Sequence, residues 1–473
     1  MRKMWILWLF AVLSGCVQDS AVKPLKPRLE PLPPVTFRGK PFFPVGAYDT
    51  YKIGEEGDLA SIDPNFIAAG GNFADLGMIG VPSAPNYRTH SQPAIFAALE
   101  KMKDNPDYEK IAFIVGLGFP LLLDAGDAGG RMRHGGMFKP LSGKLLEAHR
   151  GILADAVLEL RKHPNIIGYT MDEPENLIWP YYKKYFSDDW ERNRDSGLAA
   201  KMVEWTNWTR PVIREYHPEA KFFPILGWWT TYEAAAPMYD VLIANQYPAR
   251  AQGTPEFSAP LYEVSYDAAA AVAAARKNGD GRTVIYMPPM FDIINGNYGI
   301  RTFREQRYLN FAPITRGVMG IHGWRLQRCS EEHRDTVIYP AMKEVSGLSA
   351  FFLGEWLDEY VTSDHDFATV DYLKKFRERI RLVEGEEDGQ VREVRDAVPD
   401  VSYCLRRHPD GRYLLLAVNN RREPLEVVFT IAVPGRLEEA RDVLNERTLN
   451  WQGRRLSDRF LPFGVHAYIF DAG

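Results

Sequence analysis

Eight short apolar runs alternate with longer amphipathic segments, and a series of strand-like runs with hairpin chemistry follows them. The pattern predicts an α/β chain: a (β/α)8 TIM barrel with a C-terminal antiparallel β-sandwich domain. A third observation marks where the barrel keeps its chemistry. Asp172, Glu173 and Glu175 fall within four residues at the end of the fourth apolar run, and the C-terminal ends of barrel strands are where active sites are built.

The chain has 473 residues, 45% hydrophobic and 25% charged, which is an ordinary globular composition at a length that suggests more than one domain. A net charge of -5 gives no footing for nucleic acid. Residues 1–15 read as a signal segment: Arg2 and Lys3, an apolar run over 4–12, then Leu-Ser-Gly before Cys16. The run is too short to span a bilayer. Leu-Ser-Gly-Cys is similar to a bacterial lipoprotein box, which implies acylation of Cys16 and attachment to the membrane of the cell envelope, at its periplasmic or surface face. A plain signal peptide ending near a cysteine is the alternative. Residues 16–35 are rich in Pro and basic residues without periodicity, so a semi-extended tether is expected.

The barrel is expected over 36–385, with strands at 42–48, 72–76, 111–117, 166–171, 221–226, 241–245, 283–287 and 318–324. Helical spacing of apolar residues marks 94–102, 144–162, 198–217, 262–277 and 303–315. A doubly wound open sheet competes with this reading, but no Gly-rich phosphate loop follows the first strand. Residues 371–383 read as a charged helix and 384–390 (EGEEDGQ) as a linker. The sandwich, over 390–473, is expected to contain strands at 401–407, 413–419, 425–433 and 465–470, the first two joined by His408-Pro409-Asp410-Gly411. Cys329 and Cys404 then fall in different domains, which favours two buried free thiols over a disulfide.

The fourth strand and its exit, residues 163–176, read HPNIIGYTMDEPEN. This stretch resembles the corresponding strand of (β/α)8 glycoside hydrolases in the large clan that includes β-galactosidases and β-glucuronidases, where His-Pro-x-Ile and an apolar run lead into Asn-Glu-Pro. The resemblance implies that Glu173 is the general acid/base, with Asp172 in place of the Asn. Pro174 is expected to hold Glu173 extended, and the charges of Asp172 and Glu175 are expected to raise its pKa. The clan's other catalytic Glu closes strand seven. Here that strand ends in Pro288-Pro289-Met290-Phe291, and Asp292 is the first carboxylate after it. Asp49 and Glu175 are the alternatives for this second group, and a carboxylate set further back suits an inverting mechanism.

The other strand ends supply aromatic and polar residues: Tyr48 and Asp49, Asp75, Phe119, Trp228 and Trp229, Gln246 and Tyr247, Phe291, and Trp324 with Arg325. Aromatic rings pack on the CH faces of sugars while carboxylates bind hydroxyls, so the mixture points to a carbohydrate ligand. A Trp closing strand eight is also what the resemblance implies for a sugar subsite. His322, Arg325 and Arg328 together suggest recognition of a carboxylated sugar. Ten His and three Cys show no metal-ligand spacing, so neither a metal nor a cofactor is expected. The sequence therefore predicts a glycosidase with catalytic residues Glu173, Asp172 and Asp292 and substrate contacts at Tyr48, Asp49, Trp228, Trp229, Tyr247, Trp324 and Arg325. The alternative is a glycan-binding lipoprotein on the same scaffold.

Overall fold

The computed structural model describes residues 23–48, 51–53, 59–83, 91–124, 138–248, 261–279, 281–291, 302–326, 329–366 and 398–473. Expectations for Cys16, Asp49, Asp292, Arg328, the 371–383 helix and the 384–390 linker lie outside the described residues.

The eight predicted strands are present: β1 (Val45–Ala47), β2 (Phe73–Ile79), β3 (Ala112–Leu117), β4 (Ile166–Thr170), β5 in two pieces (Lys221–Phe222 and Ile225–Leu226), β6 (Val241–Asn245), β7 (Thr283–Met287) and β8 (Ile321–Gly323). They form one parallel sheet whose two edges are the two pieces of β5. Its first piece pairs with β4 and its second with β6, so the sheet closes on itself. Pro224 interrupts the strand because it has no N–H for the ladder. The seam survives the interruption: Phe223 N–H donates to Tyr169 O at 2.8 Å, and Ile225 N–H donates to Met171 O at 2.8 Å.

Phe73, Ile114, Phe223, Ile225, Val241, Ile243, Ile285 and Met287 pack together in the barrel interior, and a larger apolar layer lies between the strands and the helices outside them. Side chains alternate along a strand, so Val241 and Ile243 on this inner face place Asn245 on it too, at the C-terminal mouth. Gly168 permits a close approach of the strands at the seam. A Cβ there would lie 2.2 Å from Lys221 O and 2.5 Å from the Phe223 ring.

The outer helices are α1 (Gln92–Met102), α2 (Gly143–Leu160), α3 (Pro174–Tyr185), α4 (Ser187–Thr206), α5 (Thr209–Tyr216), α6 (Glu263–Asn278), α7 (Phe303–Thr315) and α8 (Tyr339–Phe352). The helix expected over 198–217 is split between α4 and α5. Pro211 accounts for the break, since its ring would clash with the carbonyl four residues back and it cannot donate into a continuous helix. β5 reaches β6 through two 3-10 turns, Trp229–Thr231 and Ala236–Met238, with no α-helix between them.

Two antiparallel sheets make the C-terminal sandwich. Its strands are β9 (Glu355–Trp356), β10 (Val361–Ser363), β11 (Val401–Arg407), β12 (Tyr413–Asn419), β13 (Leu425–Ile431), β14 (Ala440–Asp442), β15 (Arg447–Leu449), β16 (Arg455–Phe460) and β17 (Val465–Phe470). One sheet runs β9-β11-β12-β17-β14-β15 and the other β10-β13-β16. Leu405, Leu415, Phe429, Leu456 and Tyr468 fill the space between them. Between β11 and β12, Gly411 takes φ +99° and His408 N–H donates to Arg412 O at 2.8 Å, which is the expected hairpin. On the outside of the sandwich lies α7, fixed by Tyr308 Oη donating to Asn420 Oδ1 at 2.7 Å.

Residues 23–34 have no helix or strand, yet they are not a free tether. Leu25 N–H donates to Glu359 O at 2.8 Å, Lys26 Nζ sits 4.5 Å from the centre of the Tyr403 ring, and Leu32 is buried. Local composition predicted a semi-extended tether here, and contacts distant in sequence hold the segment against the folded chain. Cys329 and Cys404 are both buried, and no disulfide joins them. Among the described residues no helix is long and apolar enough to cross a membrane.

Candidate active site

The fourth strand delivers its carboxylates onto an unusual turn. Glu173 takes φ 43° and ψ 57°, in the left-handed region, immediately before Pro174 opens α3. The expected extended conformation is therefore not adopted. Proline excludes the right-handed α region from its predecessor, and Glu173 N–H is held by Ile225 O at 2.9 Å on the neighbouring strand, so the chain turns through the left-handed region instead. Such a backbone costs roughly 1–3 kcal/mol in a non-glycine residue and persists only where surrounding contacts enforce it. Arg325, at the exit of β8, has φ 57° and is a second non-glycine residue of this kind at the same mouth.

Both oxygens of Glu173 are engaged. Oε1 accepts a hydrogen bond from Asn245 Nδ2, and Oε2 accepts one from Asn176 Nδ2 at 2.5 Å. Asn176 in turn accepts from Trp228 Nε1 at 2.9 Å, which ties the β5 exit to the first turn of α3. Neither asparagine was singled out in the sequence. Asn245 was legible as the inward position two residues beyond Ile243, and Asn176 as the residue one helical turn after Glu173. Gly227 completes the enclosure: a Cβ there would lie 3.0 Å from Glu173 Oε1, so glycine permits the close approach of the β5 exit to the carboxyl.

Glu175 does not enter the cleft. It is fully buried, and its Oε1 accepts from the N–H groups of Gly227 at 2.5 Å and Trp228 at 3.1 Å, while Oε2 has no hydrogen-bond partner among the described residues. It therefore fixes the β5 exit from beneath. Burial, followed by the charge of Glu173, pushes the Glu175 carboxyl up to about 8. The pKa of Glu173 is raised as well. Its leading cause is burial, opposed by hydrogen bonds from Asn176 and Asn245 and by the charge of Arg325. The direction agrees with the sequence-based expectation, but desolvation leads where neighbouring carboxylates were expected to.

The aromatic residues divide into two groups. Tyr247 and Trp324 stack with centroids 5.2 Å apart, Phe291 stands edge-on to both at 5.7 and 5.4 Å, and the Arg325 guanidinium lies 4.5 Å from the Trp324 ring centre. Tyr247 Oη donates to Met287 Sδ at 3.3 Å. The charges of Glu173 and Asp172, after burial, raise the Tyr247 phenol far above its ordinary range, which puts both carboxylates in the same electrostatic neighbourhood as this wall. Tyr48 is half-buried and sits edge-on to His322 at 6.2 Å. Trp229 packs with Tyr262, Tyr266 and Val398, and so sits against α6.

His322 lies in the barrel interior, 4.9 Å from the Phe73 ring, fully buried and with no hydrogen-bond partner for either ring nitrogen among the described residues. Burial pushes its pKa down to about 3. A neutral histidine below the mouth does not join Arg325 in an anion site. Asp75 is buried on β2. In the sandwich, Asp442, Asp458 and His466 bring ligand atoms within 4.8 Å of one another. Arg447 already occupies that cluster, donating from Nε to Asp442 at 3.1 Å and from Nη1 to Asp458 at 2.9 Å, so the trio reads as an ion-pair network in which a cation would have to displace Arg447.

The buried acids have a consequence for stability. Glu175, with an ordinary value of 4.5, and Asp267, with 3.8, both rise to about 8 in the folded chain, each chiefly through burial. The unfolded chain releases these protons first, so stability falls as pH rises towards 8. Buried histidines with lowered pKa, His322 among them, oppose this only up to their ordinary value of about 6.5. Between pH 6.5 and 8 the acid contribution stands alone, at about 2 kcal/mol per group. Thermal unfolding should shift to lower temperature across that interval, with a shallower slope in Glu175→Gln. A melting temperature that rises with pH there contradicts the assignment.

Among solved structures, the chain is similar to the apo exo-carrageenase GH42 from Bacteroides ovatus, with TM-score 0.52 and 11% identity over 96% of this chain and 86% of that one. It is also similar to the β-galactosidase from Bacillus circulans sp. alkalophilus, with TM-score 0.50 and 10% identity over 92% of this chain and 100% of that one. At these identities the likeness is one of fold. No family model matches the chain, and no curated protein matches it.

Proposed function

We propose that this chain is a glycoside hydrolase in which Glu173 is the general acid. The observation that carries the reading is the setting of that carboxyl. It stands at the mouth of the barrel between Asn245 and Asn176, with its pKa raised by burial, in the electrostatic neighbourhood of the wall formed by Tyr247, Trp324 and Phe291. The fold shared with a carrageenase and a β-galactosidase supports the same direction, by analogy of scaffold alone.

In this mechanism a sugar ring packs its CH face on the Tyr247–Trp324 wall. Protonated Glu173 gives its proton to the glycosidic oxygen as the bond to the anomeric carbon breaks, and a second carboxylate activates the attacking water or attacks directly. Asp172 binds a sugar hydroxyl or tunes Glu173, and Asp292 is the proposed second group. Incubation with a panel of polysaccharides should release reducing ends.

A second reading, glycan binding without hydrolysis, is favoured by one observation: the described exit of β7, through Phe291, carries no carboxylate. Saccharide binding with no release of reducing ends would decide for it. We further propose that the protein is held at the envelope membrane by acylation of Cys16. Cys16→Ser should then move it from the membrane pellet to the soluble fraction, and continued pelleting contradicts the anchor.

A further inference from the structure

Away from the barrel mouth, a cavity of about 420 Å³ opens where the first turn of α7 meets the sandwich. Four of its ten lining residues, Arg304, Arg307, Arg447 and Arg459, are arginines, and none is a carboxylate. In a chain with 57 basic and 62 acidic residues, that local imbalance is not a reflection of overall composition. None of the lining residues belongs to the constellation around Glu173.

Two of the arginines are fixed from behind. Arg307 makes a two-pronged pair with Glu344, with Nε 2.7 Å from Oε2. It also reaches the sandwich, where Nη1 donates to Asn445 Oδ1 at 3.4 Å. Arg447 is held by Asp442 and Asp458. The carboxylates that orient these guanidinium groups lie outside the lining. The other two are free to engage a ligand: Arg304 is exposed and makes no ion pair among the described residues, and Arg459 is exposed with Nε 3.6 Å from Glu426 Oε1. Phe303 and Leu461 add apolar surface, and Leu461 is 48% exposed.

Planar guanidinium forks match the oxygens of carboxylate and sulfate groups, and apolar side chains beside them suit the CH face of a sugar ring. The volume falls within the range of pockets that enclose a small organic ligand, which is more room than a bare anion needs. We propose that this recess is a subsite for an anionic oligosaccharide, which takes the acidic group on Arg304 and Arg459 and the ring against Phe303 and Leu461. The proposal extends the carbohydrate reading given above, and it is testable without hydrolysis.

The test is calorimetric titration of the full mature protein, as wild type, as Arg304→Ala/Arg459→Ala and as Glu173→Gln, with a uronate oligosaccharide, a sulfated oligosaccharide, a neutral oligosaccharide of the same length, inorganic sulfate and anionic phospholipid vesicles. Both substituted arginines are exposed, and the one ion pair given up, Arg459 with Glu426, joins two exposed side chains and contributes little to stability, so the double variant should fold, which its melting temperature checks. The expected result is binding of an acidic oligosaccharide that weakens by at least about tenfold in the double variant, as the loss of charge-assisted hydrogen bonds requires, and that weakens in high salt. Binding should be unchanged in Glu173→Gln, whatever happens to hydrolysis. Equal affinity for the neutral oligosaccharide, equal affinity for inorganic sulfate, binding of the vesicles alone, or an unaltered double variant would each overturn the proposal.

Discussion

Replacing Glu173 by Gln should lower kcat on an unactivated glycoside by about 10²- to 10⁴-fold, the usual contribution of a positioned general acid, while leaving the Kd for the saccharide unchanged. Gln keeps the size of Glu and retains an oxygen for Asn245. The other end becomes an amide nitrogen, so Asn176 must turn its own amide and give up the bond it accepts from Trp228 Nε1. A slight loosening of the β5 exit should accompany the loss of the proton donor, visible as a small change in Trp fluorescence. Kinetics and equilibrium binding on the same preparation separate these effects. An unchanged kcat would remove Glu173 from the chemistry.

The second large effect is expected at a residue with no chemistry of its own. Gly168→Ala places a methyl group 2.2 Å from Lys221 O, a backbone atom that cannot rotate away. Either β4 or the first piece of β5 must shift, and these are the strands that close the barrel. Overpacking in a well-packed interior costs typically 1–3 kcal/mol, and displacement of strand pairing should bring the total to about 3 kcal/mol or more. Activity should fall along with stability, because Glu173 N–H is bonded to Ile225 O across the same seam. Denaturant unfolding and kcat/KM measured together check this. A variant of wild-type stability would show that the two strands are not pressed together as described.

The barrel was legible because its signal is repetitive: each buried strand is a short apolar run, and all eight lie where those runs predicted them. Features that depend on tertiary contact were not legible. The interruption of β5 was available in Pro224, which has no N–H for the ladder, but closure of the sheet through the two pieces is encoded in no local pattern. The split between α4 and α5 was available in Pro211 but was outweighed by continuous apolar spacing on either side. β14, β15 and β16 were missed because Arg441, Arg447 and Asp458 break the apolar alternation, and the ion pair of Arg447 with Asp458 makes those charges tolerable. At the candidate site, the motif marks Glu173 in the sequence, whereas its partner Asn245 required knowing which face of β6 turns inward. The left-handed turn at Glu173 ran against the local rule for a residue before proline. Departures of this kind concentrate at functional positions.

The claim that Glu173 donates a proton to the leaving group is tested most directly by varying that leaving group. Wild type and Glu173→Gln should be compared on two glycosides of one sugar, an alkyl glycoside whose leaving oxygen needs protonation and a dinitrophenyl glycoside whose leaving group departs as the anion. A general acid predicts a selective loss: the variant should be crippled on the alkyl glycoside and retain most of its bond-cleavage rate on the dinitrophenyl substrate. An equal loss on both substrates would contradict the role assigned to Glu173 and move it from proton donor to a structural or binding part of the cleft.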